Sequence, residues 1–334
     1  MLTQAPQAVV PAPGRTRTLE LRDGEAAAVH ALAARTARVH RSVDDPAFLR
    51  EVNVIAHELP RRLRSFLNQA RLDDTGHAVV VSGHHVDHAA IGPTPAHWSE
   101  TDTPRTRTHA FLLMLEAALL GDVIGWATQQ DGRLVTDVLP TPGQEDSQIS
   151  SSSHAALGWH TEDAFSPSRG DRIGLYCLRN PDATPTTVSY PAPEAVDRRV
   201  RDILRQPRFV IEPDPSHVLR GRGTALSPVA LLTGPWDAPV LRIDRDFTSA
   251  LPGDDEAAAA LRALIAHLDA NLYELPLRPG DVCFVDNRNV VHGRSPFRPR
   301  YDGTDRWLKR VNLVADLRRT RPERSSSTTR TVGR

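Results

Sequence analysis

Beyond Gly121 the chain is cut into short apolar runs, and this is what most limits the folds open to it. RLVTDVLP (133–140), RIGLYCLRN (172–180), TTVSYP (186–191), RFVIEP (208–213), APVLRID (238–244), DVCFVDN (281–287) and WLKRVNLVADL (307–317) are each bounded by Pro, Gly, Asp or Asn. Runs of this length, rich in Val, Ile and Leu, suit strands and are too short for stable helices. Their succession is the pattern of an all-β sandwich or barrel. Two helical stretches interrupt it, PEAVDRRVRDILRQ (193–206) and DDEAAAALRALIAHLDANL (254–272). Residues 212–238 between them are rich in Pro and Gly. That connection is too long for an ordinary turn, so it is expected to form a lid over a site.

The first half has another period. DGEAAAVHALAARTARV (23–39), with Asp23 as expected N-cap, places apolar residues at helical spacing. AFLREVNVIAHELPRRLRSFLNQARL (47–72) repeats that spacing, with Pro60 interrupting or kinking it. HAVVVSG (77–83) reads as a strand, and RTRTHAFLLMLEAALLGD (105–122) as the strongest helix. The expectation is a mainly β protein with flanking α-helices: a flexible lead-in (1–18), one domain (19–320) and a flexible basic tail (321–334).

A formal net charge of zero gives no overall field toward nucleic acid or an anionic membrane. No apolar run approaches the roughly 20 residues that span a bilayer. The N-terminal stretch lacks the pattern of a signal peptide, so a cytoplasmic protein is expected. Cys177 and Cys283 sit inside apolar runs, as buried free thiols would. SGHHVDHAA (82–90) clusters His84, His85 and His88, and reads as a surface turn.

Chemistry concentrates at LGWHTEDAF (157–165). Along a strand, residues i and i+2 share a face, so His160 and Glu162 would present an imidazole and a carboxylate side by side. Alone, such a pair arises often by chance as an ordinary hydrogen-bonded contact. Two histidines and a carboxylate on one face of a metal leave three positions open, the arrangement of non-heme Fe(II) oxygenases. That reading demands a remote histidine, and His292 in DNRNVVHGRSPF, at the end of an apolar strand, supplies it. An oxygenase using 2-oxoglutarate also needs a cation for the cosubstrate's far carboxylate, which arginine holds bidentately. Arg306 and Arg310 lie four apart in GTDRWLKRVNLV and would share a strand face.

These segments resemble the clavaminate synthase-like family of Fe(II)/2-oxoglutarate oxygenases, and within it the free-amino-acid β-hydroxylases of peptide-antibiotic biosynthesis that act on arginine or asparagine. LVTDVLPTPGQE, WHTEDAFSPSRGDRIGLYCLRNPD and VDNRNVVHGRSPFRPRYDGTDRWLKRVNLVADLRR carry the resemblance, which runs from about residue 80 to 320. It implies a double-stranded β-helix (jelly-roll, cupin-like) core, with His160, Glu162 and His292 as Fe(II) ligands. Arg306, helped by Thr187, would hold 2-oxoglutarate. Arg310 would take the substrate's α-carboxylate. Gln129, or its neighbour Gln130, would take the α-amino group together with Glu162, and Ser150 and Ser151 belong to the same pocket by the same resemblance. Asp214 and Ser216 would reach the substrate from the lid.

Substrate identity rests on VLRIDRDF. Asp244 and Asp246 form a second i,i+2 pair, and two close carboxylates call for a cation between them. By the residues alone, Arg245 could supply it at a solvated strand end. By resemblance to arginine hydroxylases, the pair would clamp a guanidinium, most simply of free L-arginine. Lysine, ornithine, asparagine or a cyclised arginine remain open, as do oxidation at C4 or desaturation. A ligand-binding β-sandwich without turnover is the non-enzymatic alternative, against which the complete triad and Arg306 weigh. A small amino acid and O2 are the expected partners.

Overall fold

The computed structural model describes residues 16–192, 195–217 and 226–333. The expected lead-in up to residue 15, and residues 218–225 of the expected lid, lie outside the described residues. Residues 16–18, assigned to the lead-in by sequence, belong to β1 (Thr16–Glu20), which pairs in parallel with β2 (Ala78–Ser82).

Between these strands the chain is helical. α1 (Asp23–Val39) buries Val29, Leu32, Ala33 and Thr36 along one stripe. Its N-cap is Arg22; Asp23 instead opens the first turn with Glu25, where carboxylates favour the helix dipole. Pro60 separates two helices, α2 (Pro46–Ala56), capped by the Asp45 side chain, and α3 (Arg61–Leu72). Short α4 (His88–Ile91) leads to α5 (Pro104–Ala117), buried along most of its length. His84, expected at the surface, is buried with its Nε2 2.9 Å from Glu116 Oε1 of α5, whereas His85 and His88 are exposed.

The second half is β-rich. β3 (Asp122–Trp126), β4 (Thr136–Val138), β5 (Leu157–His160), β6 (Arg172–Arg179) and β7 (Thr186–Ser189) come first. α6 (Arg198–Leu204) is shorter than its sequence pattern because Asp197 caps it. β8 (Phe209–Ile211), β9 (Leu232–Thr233), β10 (Val240–Leu241) and β11 (Thr248–Ala250) precede α7 (Asp255–Ala270). β12 (Tyr273–Leu275), β13 (Val282–Asp286), β14 (Val291–Arg294), β15 (Trp307–Val314) and β16 (Thr331–Val332) complete the order.

The strands form two principal sheets. The larger runs β1-β2-β13-β6-β15-β3-β16, with β4 also on β15; the smaller runs β12-β7-β14-β5. Period-two alternation splits the larger sheet's side chains between two cores. Ala78, Val80, Leu175, Cys177, Cys283, Val285 and Leu308 meet Val188 and Tyr273 of the smaller sheet. Val79, Val81, Tyr176, Phe284, Trp307 and Val311 pack instead with α1, α2, α3 and α5. α6 and α7 share a third core with Trp159 and Val291 of the smaller sheet. The result is a jelly-roll β-sandwich flanked by helices on both sides. Cys177 and Cys283 are free and buried, and burial pushes both thiols up to about 12.

The C-terminal segment differs from expectation. Rather than trailing free, it turns through Leu317–Glu323 and adds β16 in parallel to β3. Val332 is fully buried with Ile124, Trp126 and Val314. Its Ser and Thr residues close turns: Ser326 Oγ accepts from the backbone N–H groups of Thr328 and Thr329. Arg324 donates to the carbonyls of Leu317, Ser327 and Thr329. Among the described residues no helix is long and apolar enough to cross a membrane.

Candidate active site

β14 and β5 are antiparallel, with His292 directly opposite His160 and the ring centroids 4.8 Å apart. β5 ends at His160, so Glu162 stands in the following turn and strand alternation does not place it. Asn287, fully buried, does that work. Its Oδ1 accepts from the Glu162 N–H at 2.7 Å, while its Nδ2 donates to the carbonyls of Glu162 (3.1 Å) and Gly170 (2.7 Å). Glu162 Oε2 thereby sits 3.3 Å from the Nε2 of both histidines. His160 Nδ1–H donates to the Gly158 carbonyl at 2.8 Å, which orients Nε2 toward the same point. His160, Glu162 and His292 are the cluster among the described residues that could hold a metal, their ligand atoms all within 4.8 Å. Two imidazole nitrogens and one carboxylate oxygen are a donor set suited to Fe(II).

The electrostatics follow from burial and proximity. Burial opposes the Glu162 carboxylate, but Arg310 and the two imidazoles outweigh it and hold its pKa well below the usual range. Burial also opposes charge on His160, yet Glu162 prevails and pushes it up to about 9. His292 is lowered, chiefly by burial.

The triad opens into a cavity of about 490 Å3. Arg306 lines it, buried, with no ion pair among the described residues and its Nε without a hydrogen-bond partner. Burial lowers its pKa to about 10. Arg294 lines the same space and, among the described residues, donates only to the neutral Ser152 carbonyl and hydroxyl, the Ala155 carbonyl and the Ser295 carbonyl; burial, then Arg306, lowers it to about 9. A buried guanidinium without an acid is costly unless an anion completes it. That unmet demand fits a cosubstrate carboxylate such as that of 2-oxoglutarate. Thr187, expected beside it, pairs with Gly293 on the face of β7 turned away from the cavity; Thr186, opposite Arg294, lines the cavity instead.

Gln129, Ser150, Ser151, Asp214, Ser216, Asp244, Asp246 and Arg310 all line this cavity. Arg310 donates to Glu162 Oε1 at 2.6 Å and to Gln129 Oε1 at 2.9 Å. Gln129 and Gln130 are now distinguished. Gln130 pairs with the Asp137 backbone through both ends of its amide, while Gln129 faces Arg310. From the lid, Ser216 Oγ accepts from Gln129 Nε2 at 3.1 Å, and Asp214 Oδ1 accepts from the Ser216 N–H at 2.7 Å.

Asp244 and Asp246 do not share a strand face. Asp244 closes a turn, its Oδ1 accepting from the N–H groups of Asp246 and Phe247. Arg245 turns to Asp269 with bonds of 3.0 and 3.1 Å, leaving a looser 3.7 Å approach to Asp246. Burial raises the Asp244 pKa. Gly158 makes room beside it: a Cβ there would come within 2.5 Å of Asp246 Oδ2.

Sequence reasoning missed Asn287, Gly158, Thr186 and Arg294. Two had a signal: Gly158 is two before His160 and Arg294 two after His292, so alternation along β5 and β14 puts each on the same side as its histidine. Asn287 had none, since its partner lies 125 residues away.

Sandwich, triad and unpaired arginine together define a non-heme iron dioxygenase. Residues 223–312 match the Taurine catabolism dioxygenase TauD, TfdA family. The chain is 42% identical to an enduracididine beta-hydroxylase of Streptomyces hygroscopicus, over 94% of this chain and 99% of that protein. It is 37% identical to an L-ornithine/L-arginine 3-hydroxylase of Catenulispora acidiphila, over 91% and 96% respectively. The crystal structure of the non-heme iron oxygenase OrfP with Fe, succinate and (3S)-hydroxy-L-Arg superimposes with a TM-score of 0.90 at 40% identity, covering 95% of this chain and 99% of that one. The chain belongs to this family, among its amino-acid hydroxylases. It is an Fe(II)/2-oxoglutarate-dependent dioxygenase.

Proposed function

We propose that this dioxygenase hydroxylates free L-arginine at the β-carbon (C3), supplying a hydroxylated residue for peptide-antibiotic biosynthesis in the cytoplasm. One catalytic unit, from β1 through β16, carries the reaction, with residues 212–217 and 226–238 as the described parts of its lid. The observation that supports this substrate is the Asp244–Asp246 pair, which faces the cavity while its neighbour Arg245 pairs with Asp269. A guanidinium, planar and rich in donors, fits two such carboxylates.

His160, Glu162 and His292 would hold Fe(II), which, with 2-oxoglutarate and O2, would supply the oxidising power to convert a C–H into C–OH as 2-oxoglutarate is decarboxylated to succinate and CO2, one oxygen atom going to each of substrate and succinate. Arg306 would pair with the cosubstrate's far carboxylate, with Thr186 beside it in the position expected of Thr187. Arg310 would take the substrate's α-carboxylate, and Gln129 with Glu162 Oε1 its α-amino group. Ser150, Ser151, Ser216 and Asp214 would line the path between these ends. Anchoring arginine at both ends chooses the exposed carbon by position, with no side chain needed as acid or base.

Iron-loaded enzyme is incubated with 2-oxoglutarate and a panel of free amino acids, and products are scored by gain of one oxygen. Arginine should be hydroxylated, and Asp244→Asn/Asp246→Asn should lose that turnover while retaining slow 2-oxoglutarate consumption. Product from asparagine or leucine but not arginine would sink the assignment. Ornithine, lysine or a cyclised guanidino acid as better substrate would redraw it within cationic amino acids.

A further inference from the structure

We propose that His217 is the latch of the lid: it fastens the segment that carries Asp214 and Ser216 to Asp163, next to the iron ligand Glu162. Lid closure and assembly of the amino-acid site then become one event. The inference rests on the dioxygenase reading of the site.

His217 is buried, though it belongs to a Pro- and Gly-rich connection. Its Nε2 lies 2.9 Å from Asp163 Oδ1 and its Nδ1 2.8 Å from Thr128 Oγ1. Its ring is held edge-on to Trp126 (5.1 Å between centroids) and tilted against Phe165 (4.7 Å). The receiving carboxylate is built for the purpose. Asp163 has φ +54°, a left-handed conformation that a residue with a side chain seldom adopts without compensation. Its other oxygen accepts from Trp126 Nε1 at 2.6 Å and Asn312 Nδ2 at 3.3 Å. Asp163 therefore stands fixed, with one oxygen aimed at the lid.

The lid side is equally fixed. The His217 N–H donates to the Asp214 carbonyl at 3.0 Å and the Ser216 N–H to the Asp214 carboxylate, so Asp214 through His217 form a tight turn that moves as a piece. When His217 is seated, Ser216 meets Gln129, and Gln129 in turn meets Arg310. Unlatching would withdraw Asp214 and Ser216 from the cavity wall and deprive Gln129 Nε2 of both its lid partners, Ser216 Oγ at 3.1 Å and His217 Nε2 at 3.0 Å. Arg306, at the cosubstrate end, touches none of these groups among the described residues. The latch thus acts on the amino acid and spares 2-oxoglutarate, which makes His217 a positioning residue.

The test compares His217→Ala and His217→Gln with the wild type. Arginine and 2-oxoglutarate affinities are measured anaerobically on the Fe(II) enzyme, coupling as product formed per 2-oxoglutarate consumed, and lid closure as amide hydrogen exchange of residues 214–217. His217→Ala should weaken arginine binding about tenfold or more, the scale of one or two lost hydrogen bonds, with 2-oxoglutarate affinity within about twofold. Coupling should fall, and arginine should no longer protect residues 214–217 from exchange. His217→Gln, whose amide can still donate to Asp163, should recover part of each. An alanine variant with native arginine affinity, coupling and protection would overturn the latch. So would equal loss of both affinities with a lowered melting temperature, the mark of a general packing defect. Failure of the dioxygenase reading would look different, as a wild type that consumes no 2-oxoglutarate.

Discussion

At the scale of single residues, the site is held by partners that carry no chemistry themselves. Asn287 is the clearest case, because its one buried amide bonds both the N–H and the carbonyl of Glu162 and ties them to the Gly170 carbonyl. Asn287→Ala should lower Fe(II) affinity about 10- to 100-fold, the usual cost of losing a ligand's supporting partner. Titrating metal-free variant with Fe(II) under anaerobic 2-oxoglutarate would show it, and unchanged affinity would remove Asn287 from that role. The candidate ligands were legible only in combination: the His160–Glu162 spacing alone arises often by chance, and His292 with Arg306 downstream gave it meaning. Legibility failed where turns replace strands. Glu162, Asp244 and Asp246 reach the cavity through turn geometry closed by hydrogen bonds, which i,i+2 counting does not describe. At Thr187 strand alternation is real, and it is Thr186, opposite Arg294, that lines the cavity.

At the scale of elements, β15 shows how one strand serves two environments. Trp307 and Val311 face the helical core while Arg306, Leu308 and Arg310 face the sandwich and its cavity. The apolar half of this pattern made the strand readable, and its polar half made the arginines candidates. α5 is different, being buried nearly all round, so the wide apolar face in its sequence hid a polar contact. His109 lies in it with Nδ1 3.0 Å from the Tyr176 hydroxyl, and burial, then Lys309, pushes its pKa down to about 4. The unfolded chain takes up this proton near pH 6.5, whereas the folded protein resists until about pH 4, so stability falls as pH drops through that window. From pH 7 to pH 5 the histidine should cost about 2 kcal/mol, at about 1.4 kcal/mol per unit of displacement. Urea unfolding at both pH values reads this directly. His109→Gln, which keeps a partner for Tyr176, should flatten the difference, and an undiminished slope would assign the acid sensitivity elsewhere.

At the scale of the molecule, the outline was readable because hydrophobic period changes near Gly121, from helical to strand-like. The order of strands was not, since neighbours such as β2 and β13 are joined by pairing across some 200 residues, which local pattern does not encode. Composition misled at the C-terminal segment, where Ser, Thr and Arg suggested solvent but serve as turn closures around a buried Val332. That segment packs on Trp126, whose indole holds Asp163. Deleting residues 325–334 should therefore cost about 2 kcal/mol or more from lost valine burial and strand pairing. It should also raise the KM for the amino acid more than that for 2-oxoglutarate. Thermal melts and steady-state kinetics distinguish this from a dispensable tail, which would leave both KM values in place.

Arg310 has a last consequence, for selectivity. Arg310 rests on Glu162 and Gln129, so a molecule binding there trades bonds with the enzyme and adds few. A zwitterion can complete that trade, its anion replacing Glu162 at Arg310 while its ammonium replaces Arg310 at Glu162. Half a zwitterion cannot. Agmatine, which keeps the guanidinium but has no carboxylate, would find Arg310 still occupied by its own neighbours, and should neither be oxidised nor compete with arginine at equal concentration. Competitive inhibition by agmatine would show that the guanidinium end alone admits a ligand.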